Sequence, residues 1–272
     1  MELEVEQFEE TKKIQLEILL EFNRVCQKNN IHYNLYFGTM LGAVRHKGFI
    51  PWDDDIDVAM TRENYDKFLS LYSKNLKEDY FVQNYETDPS FFRPFTRIRK
   101  NGTIYKQFSY RDLDIHHGIF IDVFPFDSVY GNKKKEIIRY QYLNRLQHLN
   151  YIKHLSMAPD ANIVKKGIQR VVDRAIPTLK FNRYITKVLT KRNNQNTGYL
   201  NHMTNNTPLY KYDKTVIKEE DFLNSVLWEF EGHKLPILKD YDKYLTQNYG
   251  NYMKLPPVDE QKPHHGIVEI KL

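Results

Sequence analysis

The apolar positions Ile14, Ile18, Phe22, Val25 and Cys26 fall on one helical face, which predicts an amphipathic helix over 6–29 that Asn29-Asn30 ends. Alternation over 31–37 predicts a first strand, followed by a short helix from Met40 to Arg45. After Gly48 and Pro51, residues 55–60 read as a second strand. Thr61 is placed to cap a helix over 62–74 whose Tyr65, Phe68, Leu69 and Tyr72 share a face. Short extended runs follow at 80–82, 95–99 and 103–105, then the most apolar strand, 118–124. Residues 133–192 read as basic helices broken at Pro159 and Pro177, and Ile137, Ile138, Leu143, Leu146 and Leu149 are expected to pack them on the sheet. Two last strands, 226–230 and 233–238, turn at Glu231-Gly232. A final helix at 239–247 is closed by Gly250 and Pro256-Pro257. This mixture of helices and strands predicts an α/β (α+β) fold with a mixed sheet flanked by helices and a basic helical insertion.

Composition narrows the setting. The 272 residues can hold one large domain or a domain with an appendage. The segments divide as 1–130 for a core, 131–217 for the helical appendage and 218–272 for a return to the core. The single Cys26 excludes an internal disulfide. The first ten residues are acidic where a signal peptide is basic and then apolar, and no apolar run reaches the roughly 18 residues that span a bilayer. A cytoplasmic protein is expected, in reach of the inner face of the membrane. Residues 131–192 hold 15 Lys/Arg against Glu136, Asp160 and Asp173, whereas the remainder has 25 against 32 acids. That asymmetry suggests an anionic partner. A lipid-linked glycan or an anionic membrane surface fits. No aromatic stacking motif supports nucleic acid.

The chemistry-bearing stretch runs from Tyr36 to Met60. Gly38-Thr39 reads as a small-residue turn ahead of a helix, where a backbone can approach a phosphate and a hydroxyl can donate. Asp53, Asp54, Asp55 and Asp57 follow. In an extended chain Asp55 and Asp57 share a face roughly 7 Å apart, while Ile56 and Val58 point into a core. A divalent cation would relieve the repulsion between them. An EF-hand does not fit, because counting from Asp53 places Val58 where the loop needs Gly and Asn64 where it needs Glu. Arg97 and Arg99 share a face in a way that suits a diphosphate. Asp122, the one polar side chain in Ile119–Phe124, needs a metal or a cationic partner. The tail pair His264-His265 reads as surface.

The string G-T-M-L-G-A-V-R-H-K-G-F-I-P-W-D-D-D-I-D (38–57) resembles the LicD family of phosphotransferases, within the nucleotidyltransferase superfamily. So do G-I-F-I-D-V-F-P-F-D (118–127) and the stretch 230–257. The resemblance covers both ends of the chain, and residues 131–217 carry no matching motif. It implies a nucleotidyltransferase-like sheet in which Asp122 matches the third acid beside Asp55 and Asp57, the three holding Mg²⁺ or Mn²⁺. Gly38 and Thr39 are implied to cradle phosphate, with Arg45, Arg97 and Arg99 as clamps. Asp53 either takes the acceptor's proton or orients a second ion. The implied reaction moves phosphocholine, or a related alcohol phosphate, from a CDP-linked donor to a glycan or teichoic-acid precursor and releases CMP. Tyr36, Trp52 and Phe120 are candidate aromatic walls for the trimethylammonium group. Nucleotidyl transfer with loss of pyrophosphate, or an inactive nucleotide-binding module, are the alternatives.

Overall fold

The computed structural model describes residues 5–154, 176–204, 212–263 and 265–272, together with five single positions between 164 and 174. Its principal sheet has the strand order β1-β2-β6-β4-β3. The strands are β1 (Asn34–Leu35), β2 (Asp57–Thr61), β3 (Tyr80–Gln83), β4 (Thr96–Lys100) and β6 (Phe120–Ser128). β2 and β6 run parallel, and the other pairs in this order are antiparallel. Two short strands, β7 (Tyr199–Asn201) and β8 (Ile217–Lys218), extend the sheet from the far end of β6.

Side-chain alternation gives this sheet two different faces. Val58, Ile98, Ile121 and Val123 are fully buried on one of them. That face is covered by α1 (Val5–Lys28) and α3 (Arg62–Asn75), whose Phe22 and Phe68 meet edge to face. Thr61 caps α3 by accepting from the Asn64 amide, as its type and position lead one to expect. The opposite parity carries Asp57, Arg97, Asp122 and Phe124, so the polar face of the sheet is where chemistry can happen.

Several elements differ from the pattern read in the sequence. The first strand shrinks to two residues because α2 (Phe37–His46) starts earlier, with an extended Tyr36 before it and Phe37 at φ 45°. Gly38 and Thr39 therefore lie in the first turn of that helix rather than in a turn before it. Pro177 immediately precedes α5 (Thr178–Leu189), whereas Pro159 lies outside the described residues. α4 (Lys133–His154) and α5 pack on each other around a separate apolar cluster with Val129, Tyr140, Leu143, Phe181, Ile185 and Leu189. Ile138, expected to pack inward, is 81% exposed. The inward face of α4 instead buries charge: Glu136 accepts from Arg139 at 2.8 Å and pairs with Arg192 at 2.6 Å. Part of the basic excess is thus spent inside this cluster.

Two hairpin-like ribbons complete the frame. β9 (Ser225–Phe230) and β10 (His233–Leu238) turn at Glu231-Gly232, both at positive φ, where the Gly requirement of a tight hairpin is met. Glu231 clips the loop between α2 and β2, its carboxylate accepting from the Phe49 amide at 3.0 Å. A Cβ on Gly48 would lie 2.0 Å from that carboxylate, so a larger residue would have to displace the Glu231 side chain. The second ribbon pairs β5 (Ile104–Gln107) with β11 (Ile267–Lys271), a strand the hydrophobic pattern did not reveal. It brings the end of the chain back to the acids.

Candidate active site

The acidic centre is assembled by register. Asp57 lies directly opposite Asp122 across the parallel β2–β6 pair, and Asp122 lies opposite Arg97 across the antiparallel β6–β4 pair. Oxygens of Asp55, Asp57 and Asp122 lie within 4.8 Å of one another, and so do those of Asp53, Asp54 and Asp55. The loop carrying them is held from outside: Lys12 donates to the Pro51 carbonyl at 2.9 Å and Gln15 to that of Asp54 at 2.8 Å. Thr39 accepts the Asp57 amide at 2.8 Å, which locks α2 to the start of β2. Rigid support of this kind is what precise placement of charged groups requires.

The charges on the cluster are unevenly compensated. Arg97 donates to both oxygens of Asp122, at 2.7 and 3.4 Å, and to Gln107 at 2.9 Å. Asp54, fully buried, accepts from the Tyr105 hydroxyl, the His265 amide and the His265 Nδ1. Burial pushes its pKa up, but the hydrogen bonds and charge of His265 outweigh that and leave it below the ordinary carboxylate value. Burial would lower His265, yet Asp54 and Asp55 hold it up to about 9. The remaining two acids are less well served. Burial and the charge of Asp53 push Asp55 up to about 8, and burial with Asp55 and Asp122 pushes Asp57 well above the carboxylate range. Three converging carboxylates, two of them with pKa values raised for want of compensation, fit a hard divalent cation with oxygen ligands.

Two clefts meet at these acids. The larger, about 500 Å³, is lined by Gly38, Arg45, Trp52 and Asp53, and by Tyr252 and Lys254 from the loop after α6 (Tyr241–Tyr249). The smaller, about 360 Å³, has Arg97, Gln107, Asp122, His202 and His265 on its walls. Asp55 and Asp57 border both. At the larger cleft a Cβ on Gly38 would come 2.7 Å from Asp53 Oδ2, so a larger residue there would have to displace the Asp53 carboxylate. A third cavity, near Tyr199 and Lys243, does not touch the acids.

The geometry brings together Gly38, Arg45, Trp52, Asp53, Asp55 and Asp57 at one cleft and Arg97 with Asp122 at the other. Other expected residues sit elsewhere. The Thr39 hydroxyl is buried against Asp57, so its contact is with the strand. Arg99 is 2% exposed, donates to Gln83 at 2.5 Å and to the Gly118 carbonyl, and reaches neither cleft. Its partner in the expected diphosphate clamp, Arg97, is committed to Asp122. Tyr36 and Phe120 are fully buried, Tyr36 among Phe37, Phe126 and Tyr244, and Phe120 beneath the Arg97 guanidinium at 3.8 Å. His265 is no surface residue; it completes the site, while His264 lies outside the described residues. Tyr252, Lys254, Gln107 and His202 were not singled out from the sequence. Only the motif-bearing stretch 230–257 pointed toward the first two.

The mixed sheet thus gathers carboxylates between two open clefts. Residues 30–163 match the family described as LicD/FKTN/FKRP, nucleotidyltransferase domain. The chain is 32% identical over 263 residues to the lipopolysaccharide cholinephosphotransferase LicD of Haemophilus influenzae, covering 94% of this chain and 95% of that protein. It is 30% identical over 138 residues to an uncharacterized protein of Rickettsia typhi, 47% of this chain and 39% of that one. The protein belongs to the LicD family and is a transferase.

Proposed function

We propose that the protein transfers phosphocholine, or a related alcohol phosphate, from a CDP-linked donor to a sugar hydroxyl of a lipopolysaccharide or teichoic-acid precursor, releasing CMP. The relative from Haemophilus influenzae is named for phosphocholine transfer to lipopolysaccharide. The observation that carries the reading is that Asp55 and Asp57 border both clefts, so a donor in one and an acceptor in the other meet at the same carboxylates.

In this reading the larger cleft takes the donor. Arg45 and Lys254 supply cationic hydrogen-bond donors for the diphosphate, and Gly38 lets its oxygens approach the first turn of α2. Trp52 and Tyr252 offer aromatic faces to a trimethylammonium group, with Asp53 as its counter-charge. Asp53 faces the larger cleft, which suits contact with the donor better than proton removal from the acceptor. Asp55, Asp57 and Asp122 would hold Mg²⁺ or Mn²⁺. When bound, that cation neutralises charge developing on the bridging and departing phosphate oxygens. Arg97 holds Asp122 oriented, and protonated His265, 3.9 Å from Asp55, offsets the surplus negative charge. No helix among the described residues is long and apolar enough to cross a membrane.

The test is a donor panel of CDP-choline, CDP-glycerol, CDP-ribitol and CTP, with delipidated lipopolysaccharide oligosaccharide and Mg²⁺. The expected result is CMP from at least one CDP-alcohol and no pyrophosphate from CTP. Pyrophosphate release with nucleotide attached to the glycan would replace this reading by nucleotidyl transfer.

A further inference from the structure

The smaller cleft holds two buried polar groups that the mechanism above leaves unused. His202 is 6% exposed and neither of its ring nitrogens has a hydrogen-bond partner among the described residues. Its ring stands edge to face on Phe37 at 4.6 Å and tilted on Phe126 at 5.5 Å. Gln107 is 4% exposed; its Oε1 accepts from Arg97, while its Nε2 has no partner. Both line the same chamber, beside the shared acids Asp55 and Asp57. A buried polar atom without a partner costs folding free energy and is seldom retained without a reason. Here two such groups face one cavity, and a ligand that hydrogen-bonds them supplies the reason.

We propose that this chamber is the acceptor's sugar site, in which His202 and Gln107 hydrogen-bond the hydroxyls of a neutral hexose ring. The chemistry of the walls selects that ligand. Burial pushes His202 down to about 4, so at neutral pH it presents one donor and one acceptor nitrogen. A hydroxyl group has the same two capacities. The Gln107 amide adds a second donor. Phe95, Phe108 and Tyr110 offer ring faces and edges against which the C–H face of a pyranose can lie. The donor's phosphates are better met in the other cleft, where Arg45 and Lys254 stand. A hydroxyl held here lies beside Asp55 and Asp57, the acids that the larger cleft shares.

This assignment rests on the phosphotransfer reading for calling the sugar an acceptor, and it is tested separately from it. Saturation-transfer NMR with a panel of methyl hexosides measures sugar binding directly, and calorimetric titration with CDP-choline measures donor binding. In His202→Phe the aromatic ring stays and both nitrogens go. The wild-type protein is expected to transfer saturation to at least one hexoside. In His202→Phe that affinity should fall by about tenfold, the loss of roughly one hydrogen bond, while CDP-choline binds with unchanged affinity. The thermal midpoint of the variant should equal or exceed that of the wild type, because an unpartnered buried group has been removed. Gln107→Glu, which keeps the oxygen that Arg97 needs and loses the Nε2 donor, should weaken the same hexoside. The proposal is overturned if no hexoside is saturated, if His202→Phe binds it as well as wild type, or if CDP-choline affinity falls instead. Failure of every CDP-alcohol in the panel to yield CMP overturns the phosphotransfer reading and leaves the hexoside result to stand on its own.

Discussion

Asp57 and Asp122 are direct neighbours across the parallel pairing of β2 and β6, and Arg97 neutralises only one of them. The Asp57 carboxylate is left beside Asp55 with no hydrogen bond from the described residues, and its pKa is driven up by burial and by those neighbours. The site is thus arranged to be completed by a cation.

Replacing Asp57 by Asn removes one of three converging carboxylates and one source of repulsion. Turnover should fall by at least roughly 10²-fold, the usual cost of losing one preorganised charge contact. In EDTA the variant's thermal midpoint should be higher than that of the wild type, because like charges no longer crowd the loop. Differential scanning calorimetry in EDTA checks the thermal midpoint, and a CMP-release assay with Mg²⁺ checks turnover. An Asp57→Asn enzyme with wild-type turnover removes Asp57 from the reaction.

Metal removal and pH should act together. Asp55 titrates near 8 in the folded protein, against about 3.9 when unfolded, and His265 near 9 against about 6.5. Both folded values are raised, so each group's contribution to stability is complete below its unfolded pKa and is lost as pH rises through the folded one. In EDTA the thermal midpoint should therefore fall between about pH 6 and about pH 9. Mg²⁺ should flatten that slope, since it takes the place of the protons. A midpoint in EDTA that rises over this interval contradicts the electrostatic account.

Arg97 and Arg99 share a strand face but have different roles. Arg97→Ala leaves the buried Asp122 carboxylate unpaired and should cost about 3–5 kcal/mol of stability as well as activity. Arg99 hydrogen-bonds Gln83 and the Gly118 carbonyl and reaches neither cleft. Its replacement by Gln should lower stability by about 1–3 kcal/mol, while kcat per folded molecule stays within about threefold of wild type. Urea titration alongside kcat for each variant separates the two. A hundredfold loss of kcat in folded Arg99→Gln restores it to the substrate.

What the sequence disclosed followed from local rules. The two-residue period put Asp55 and Asp57 on one face and Ile56 and Val58 in the core, and the Thr61 cap and the Glu231-Gly232 turn were plain from residue type. The same period placed Arg97 and Arg99 together, but it says nothing of what covers that face, and Phe120 lying across both guanidiniums is a matter of strand order. Asp54 and His265 are 211 positions apart and meet only because β11 pairs with β5. The inward face of α4 escaped the hydrophobic pattern because Glu136, Arg139 and Gln147 are buried there, Glu136 paired with Arg139 and Gln147 donating to the Met203 carbonyl. His202 and Gln107 carry no local signature, since an unpartnered polar atom is a property of the folded cavity.

The central claim is that the phosphate beside the alcohol moves and the nucleoside monophosphate leaves. CDP-choline labelled with ³²P at the choline-side phosphate and with ¹⁴C in the choline tests it in one measurement, with Mg²⁺ and delipidated lipopolysaccharide oligosaccharide. Both labels should appear on the oligosaccharide in equal amounts, matched one for one by unlabelled CMP. Choline on the glycan without ³²P, or nucleotide on the glycan with release of labelled phosphocholine, would contradict the account.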